Sequence, residues 1–186
     1  KFSVVPSNFK EYFNDNIPPE ALAESLARGK AMKVAKMYRD KIIIGADTVV
    51  SLDGEFYGKP KNSQESFTML RSLSGKSHEV ITGVALILRN KNIDYTFNQK
   101  TNVTIAKMTN EEIFSYLKQY NPLDKAGSYG IQDGFSAFIE NINGCYFNVM
   151  GFPLSKFFHQ YKKIFKSLWK KINIGNFNFF HCVMKM

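Results

Sequence analysis

The chain has 186 residues, 44% of them hydrophobic and 17 of them Phe, which is enough to bury the core of one domain and too apolar for a disordered segment. Its two cysteines, Cys145 and Cys182, stand too far apart to suggest a disulfide framework or a zinc site, which fits a reducing, cytosolic setting. No run reaches the ~20 apolar residues of a membrane span and no basic-then-apolar signal opens the chain, while a net charge of +9 favours an anionic partner such as nucleic acid, an acidic lipid surface or a phosphorylated ligand.

Residues 2–5 read as a short strand, followed by a polar loop carrying Pro6, Asn8, Asn14, Asp15, Asn16 and Pro18. From Pro19 to about Tyr38, Leu22, Leu26, Ala27, Ala31, Val34 and Ala35 recur at helical spacing, and Pro19 suits a first turn, where its missing N–H has no intrahelical partner. Arg28, Lys30, Lys33 and Lys36 of that helix then face the surface or a cleft. Ile42, Ile43 and Ile44 lead through Gly45 into a buried strand over residues 47–50 that carries one carboxylate, and Asp53-Gly54 predicts a hairpin back to residues 55–57. Asn62 with Glu65 suggests a capping box for a helix running to Leu73, with Gly75 at its end. Strands over residues 80–88 and 95–105 follow, then a helix opened by Thr109 with Glu112 and stopped by Asn121-Pro122. The loop over residues 124–132 combines charge with backbone freedom. A strand over residues 138–140, a turn at Asn143-Gly144 and a helix opening at Pro153 complete an α/β or α+β domain with a mixed sheet.

A carboxylate in a strand of Ile and Val needs a cation, a metal or hydrogen-bond donors, so Asp47 is either a satisfied core residue or a catalytic one. Set beside Lys59, Lys125 and Glu11, it belongs to the group types that cleave a phosphoanhydride, where cations meet the charge of departing pyrophosphate and a carboxylate orients water or holds metal. No Walker A or Gly-x-Gly-x-x-Gly pattern is present, and His78, His159 and His181 are scattered. The basic run from Lys156 to Lys171 reads as a solvated helix face ahead of a nucleic-acid site.

Residues 45–50 (Gly-Ala-Asp-Thr-Val-Val), Lys59-Pro60, residues 73–80 (Leu-Ser-Gly-Lys-Ser-His-Glu-Val), Thr82-Gly83-Val84, residues 124–132 and residues 148–154 (Asn-Val-Met-Gly-Phe-Pro-Leu) follow one another in an order that resembles the signature blocks of the Maf family of nucleoside triphosphate pyrophosphatases. The likeness runs from Phe2 to about Lys163. It implies an elongated mixed α/β fold with a central cleft, similar to inosine triphosphate pyrophosphatases, a divalent cation such as Mg²⁺ or Mn²⁺, and a homodimer. Asp47 matches the family's proton acceptor, Glu11 its early acidic residue, which with Asp47 would hold the metal, Lys30 its helix lysine and Lys59 its cleft lysine. Lys125 would contact phosphate, with Asp124 next to it. Thr48 and Gln132 match the positions that go with dTTP and UTP as substrates, so the resemblance implies a pyrimidine nucleotide cleaved to its monophosphate and pyrophosphate.

Three departures qualify the likeness. Family members carry a strand and a Ser-x-x-Arg-Arg loop ahead of the region where this sequence opens, and its loss implies weakened activity. Asp133 to Ala137 and Cys145 replace the family's usual small and acidic residues. The matching domain covers residues 1–165, and residues 166–186 form an atypical tail. The rival readings are a catalytically silent scaffold or dimerisation module of the same fold and, ranked last, a nucleic-acid binder through the basic helix. The expected partners are therefore a nucleotide and a second copy of the chain, with neither membrane nor nucleic acid.

Overall fold

The computed structural model describes residues 3–11 and 17–166. Five extended stretches pair into one sheet: β1 (Ile43–Leu52), β2 (Glu55–Tyr57), β3 (Ser77–Leu88), β4 (Ile93–Ile105) and β5 (Ile139–Asn143), in the order β2-β1-β3-β4-β5. The helices are α1 (Pro19–Ala35), α2 (Ser63–Leu73), α3 (Asn110–Tyr120), the single turn α4 (Tyr146–Val149) and α5 (Leu154–Ile164). The α/β class is as expected, but every strand pairing among the described residues is antiparallel, not mixed. Short connections explain two of the four pairings, β1 with β2 and β3 with β4, because a hairpin can join only antiparallel neighbours. Asp53 and Gly54, both at positive φ, close β1 onto β2, and a three-residue 3₁₀ turn (Arg89–Lys91) ending on left-handed Asn92 closes β3 onto β4.

Side-chain alternation along the strands gives the sheet two buried faces. On one, Val49 and Ile81 pack against Leu22 and Leu26 of α1, and Ala85 and Ile87 pack against Ala27, Ala31 and Ala35. On the other, Val84, Leu86 and Leu88 pack against Phe157, Tyr161 and Phe165 of the α5 segment. Each large apolar side chain buried this way contributes roughly 1.5–3 kcal/mol. A third cluster under α2 and α3 joins Leu52, Leu70, Ile105, Ile113 and Phe135. Helix α1 lies unusually close to the sheet: a Cβ on Gly83 would stand 2.2 Å from the Ala23 carbonyl oxygen, and one on Gly45 would stand 2.4 Å from that of Ala27. The small Ala23-Ala27-Ala31 stripe and these two glycines set the helix height, and with it the reach of Lys30.

The Thr109–Glu112 capping box forms with both its bonds. The Asn62 box forms only half as expected: Asn62 accepts from the Glu65 N–H, while the Glu65 carboxylate accepts from Lys61 instead of Asn62. Residues 3–5, expected as a strand with Phe2, carry no ladder, because extended sequence alone supplies no partner edge; Phe2 itself lies outside the described residues. Helix α1 stops at Ala35 instead of reaching Tyr38, and the strand expected at residues 138–140 sits at β5, after a 3₁₀ segment (Gly134–Phe138). Asn14, Asp15 and Asn16 and all but the first residue of the tail expected at residues 166–186 lie outside the described residues. No helix among the described residues is long and apolar enough to cross a membrane.

Candidate active site

Strand β2 pairs only with Val50–Leu52 of β1, so among the described residues the outer edge of Asp47, Thr48 and Val49 has no neighbouring strand. The gap is a cavity of about 150 Å³ whose walls include Glu11, Asp47, Thr48, Phe56, Tyr57 and Lys59. Gly58 and Lys59 continue from β2 along the opposite lip, and the backbone N–H of Gly127 donates to the Gly58 carbonyl at 3.1 Å, tying the loop after α3 to the same wall. A cleft therefore opens where a sheet edge is left unpaired and a following loop bends over it.

Asp47 lies on the α1 face of β1 with 9% of its surface exposed. Lys30, one helical turn from the close contact at Ala27, donates to the Asp47 carboxylate and lies 2.9 Å from Glu11 Oε1, so one ammonium joins two carboxylates. Burial pushes the Asp47 carboxyl above its ordinary value; Lys30 pulls it down, Glu11 pushes it up and Lys59 pulls it down, and burial prevails. Burial alone would lower Lys30, but Asp47 and Glu11 more than offset that and hold it above its ordinary value. The result is a carboxylate whose proton is unusually easy to gain, facing a lysine that stays charged.

Lys59 is exposed on the lip, where its charge acts on both Asp47 and Asp124. Lys125 pairs with Asp124 at 2.8 Å and keeps that carboxyl below its usual range. This pair flanks the cleft, and the next residue, Ala126, lines it. Gln132 is exposed and is not one of the residues that line the cavity. The structure thus gathers Asp47, Lys30, Glu11, Thr48 and Lys59 and sets Asp124 and Lys125 beside them.

Thr48 opens the other face of the sheet. Its hydroxyl lies 2.9 Å from that of Thr82, its cross-strand partner, and the Thr82 hydroxyl donates to the Asn148 carbonyl at 2.9 Å. The Asn148 amide in turn donates to the Val80 carbonyl and to Thr101 Oγ1, both at 2.9 Å. Thr82 and Asn148 were not singled out from the sequence, although both fall inside quoted motif blocks; a polar residue within a run of buried apolar ones was the available signal. His78, on the same face, is buried and pushed down to about 4 by burial, with its Nε2 2.7 Å from the Tyr129 hydroxyl. That pair packs away from the cleft.

Among the described residues no group of three or more His, Cys, Asp or Glu forms a metal cage. Glu11 and Asp47 nevertheless supply two hard oxygen donors at one mouth, and Mg²⁺ typically takes one or two carboxylates plus substrate phosphates in place of an all-protein cage. The donor set fits such an ion.

Comparison with known proteins adds to the geometry. The family described as Maf-like protein matches residues 1–164. A dTTP/UTP pyrophosphatase of Bacillus cereus (strain B4264) is 43% identical over 162 residues, covering 87% of this chain and 84% of that protein. A dTTP/UTP pyrophosphatase of Thermosipho africanus (strain TCF52B) is 46% identical over 155 residues, covering 83% of this chain and 78% of that protein.

Proposed function

The chain belongs to the Maf-like protein family, and from that premise we propose that it hydrolyses dTTP and UTP to the monophosphate and pyrophosphate in the cleft beside β1. The observation that carries this reading is the buried Asp47 carboxylate at the foot of a cleft, bonded to Lys30 and overlooked by Lys59. A water oxygen attacks the α-phosphorus, the bond from that phosphorus to the bridging oxygen breaks, and pyrophosphate leaves with the bonding electron pair. Asp47 takes the proton the water gives up, which its raised pKa favours. Lys30 holds the carboxylate in place, and Lys59 and Lys125 meet the charge on the phosphates. Glu11 and Asp47 would hold Mg²⁺ or Mn²⁺ together with the substrate phosphates, and the ion would supply polarisation of a phosphoryl oxygen.

The half-buried rings of Phe56 and Tyr57 supply apolar walls against which a base can lie. Thr48 contributes to base selection from within the cleft, and Gln132 does so only if substrate extends beyond it. The protein acts in the cytoplasm, as a homodimer, without nucleic acid as a partner; the adjacent exposed rings of Tyr146 (41%) and Phe147 (47%) offer a face for a second copy.

The test is pyrophosphate release with Mg²⁺ from dTTP, UTP, CTP, dATP and GTP by the parent and by Asp47→Asn. The parent should favour dTTP and UTP, and the variant should lose about 10²–10⁴-fold in kcat with its thermal midpoint retained. An Asp47→Asn chain as active as the parent would remove Asp47 from the chemistry, and silence of the parent on every nucleotide would favour the scaffold reading.

A further inference from the structure

The hydroxyl chain behind Thr48 has a fixed direction that follows from counting protons. Val80 and Asn148 offer carbonyl oxygens, which only accept. The Asn148 side chain must therefore turn its amide nitrogen toward Val80, and the Thr82 hydroxyl must spend its single proton on the Asn148 carbonyl. Thr82 can then only accept from Thr48, so the Thr48 proton points inward to Thr82. Thr101 donates to the Cys145 carbonyl at 3.2 Å and accepts from the Cys145 N–H and the Asn148 amide, while the Asn148 side-chain oxygen is buried without a partner. Thr82 and Asn148 are both fully buried, so no solvent competes for these protons. Thr48 lines the cleft, and among the described residues nothing else bonds its hydroxyl, so what that oxygen has left to offer is lone pairs.

We propose that Thr82 and Asn148 are positioning residues that hold Thr48 as a hydrogen-bond acceptor in the cleft, so that the site takes a pyrimidine carrying a ring N–H, the imide of uracil or thymine, ahead of cytosine. At the same ring position cytosine carries a bare nitrogen, itself an acceptor, and two acceptors facing each other leave both unpaired. This rests on the nucleotide reading above and adds to it the source of base discrimination, which lies on the opposite sheet face from Asp47 and Lys30. Removing the Thr82 hydroxyl frees the Thr48 proton to turn into the cleft, where cytosine accepts it.

The experiment compares kcat/KM for UTP and CTP in the parent, Thr82→Val, Thr82→Ser and Thr48→Val, each checked for its thermal midpoint. Thr82→Val keeps the buried volume and should lower the UTP-to-CTP ratio about tenfold, with CTP turnover rising while UTP turnover falls, a reversal that general loosening of the core would not produce. Thr82→Ser restores the hydroxyl and should keep the ratio within about twofold of the parent's. Thr48→Val leaves the Thr82–Asn148 bond in place and should lose the same discrimination, which decides the matter if Thr82→Val does not fold. An unchanged ratio in Thr82→Val, or in Thr48→Val, or a Thr82→Ser ratio as low as that of Thr82→Val, overturns the proposal. Failure of every chain, parent included, on both nucleotides overturns the underlying nucleotide reading instead, and the two failures are told apart by the parent's own activity.

Discussion

Asp47 and Thr48 are adjacent in β1 yet meet opposite surroundings. Asp47 points to the α1 face, where charges gather at a half-open mouth and a lysine serves two carboxylates. Thr48 points to the α4 face, where its hydroxyl leads into a chain of neutral groups through the buried Thr82, Asn148 and Thr101. The division follows from desolvation: an ionised group deep in a core costs several kcal/mol even when paired, whereas a neutral hydroxyl with its donor and acceptor satisfied costs little. Chemistry that needs charge therefore sits where one side is open to water and substrate, and orientation that needs a fixed proton sits where it is dry.

The sharpest way to break this contrast is to remove the cation on the charged side. Lys30→Met should lower kcat/KM by about a hundredfold, because it leaves two carboxylates facing each other without compensation. It should also move the acid limb of the kcat/KM profile to higher pH: Lys30 pulls the already raised Asp47 carboxyl down, so its removal lets that carboxyl rise further. Rates measured across pH should show the displaced limb in Lys30→Met and none in Thr82→Val; a shift in both would mean that the two faces do not divide the work in this way.

A smaller effect sharpens the contrast from the dry side. His78 is held neutral by burial, its folded value of about 4 lying below its ordinary 6.5. Between those values the unfolded chain binds a proton that the folded chain refuses, so stability is complete above the upper value and is lost as pH falls toward the lower one. From neutral pH to about pH 5 the loss attributable to His78 is about 2 kcal/mol. Denaturant unfolding across this range should give a flatter pH dependence for His78→Gln than for the parent, with the neutral-pH nucleotide preference unchanged. An equal slope in both would show that His78 is not the group responsible.

What was legible in the sequence was local. The Asp53-Gly54 hairpin, the Thr109–Glu112 cap and the buried strand around Asp47 each rest on a few consecutive residues, and each formed. The α/β class followed from the same patterns, while the direction of pairing did not, because the sheet depends on which edges meet. Residues 3–5 show the limit: alternation marks extended chain, and only a free neighbouring edge makes it a strand. The site was legible as a set of residue types, with Asp47, Glu11 and Lys59 named from their chemistry and Lys30 by resemblance, but their convergence depends on α1 resting on Gly45 and Gly83, contacts made across the fold. Thr82 and Asn148 escaped notice because a buried hydroxyl or amide gains its role from partners far away in the chain. Gln132 shows the converse, a motif residue whose side chain is exposed and makes no wall of the cavity.

The most direct test of the central claim is where the water oxygen goes. Hydrolysis of UTP by the parent in oxygen-18-labelled water, with the products separated and weighed by mass spectrometry, should place the label in uridine monophosphate and leave pyrophosphate unlabelled, as attack on the α-phosphorus beside Asp47 requires. Label in pyrophosphate, or release of orthophosphate in its place, would contradict the account.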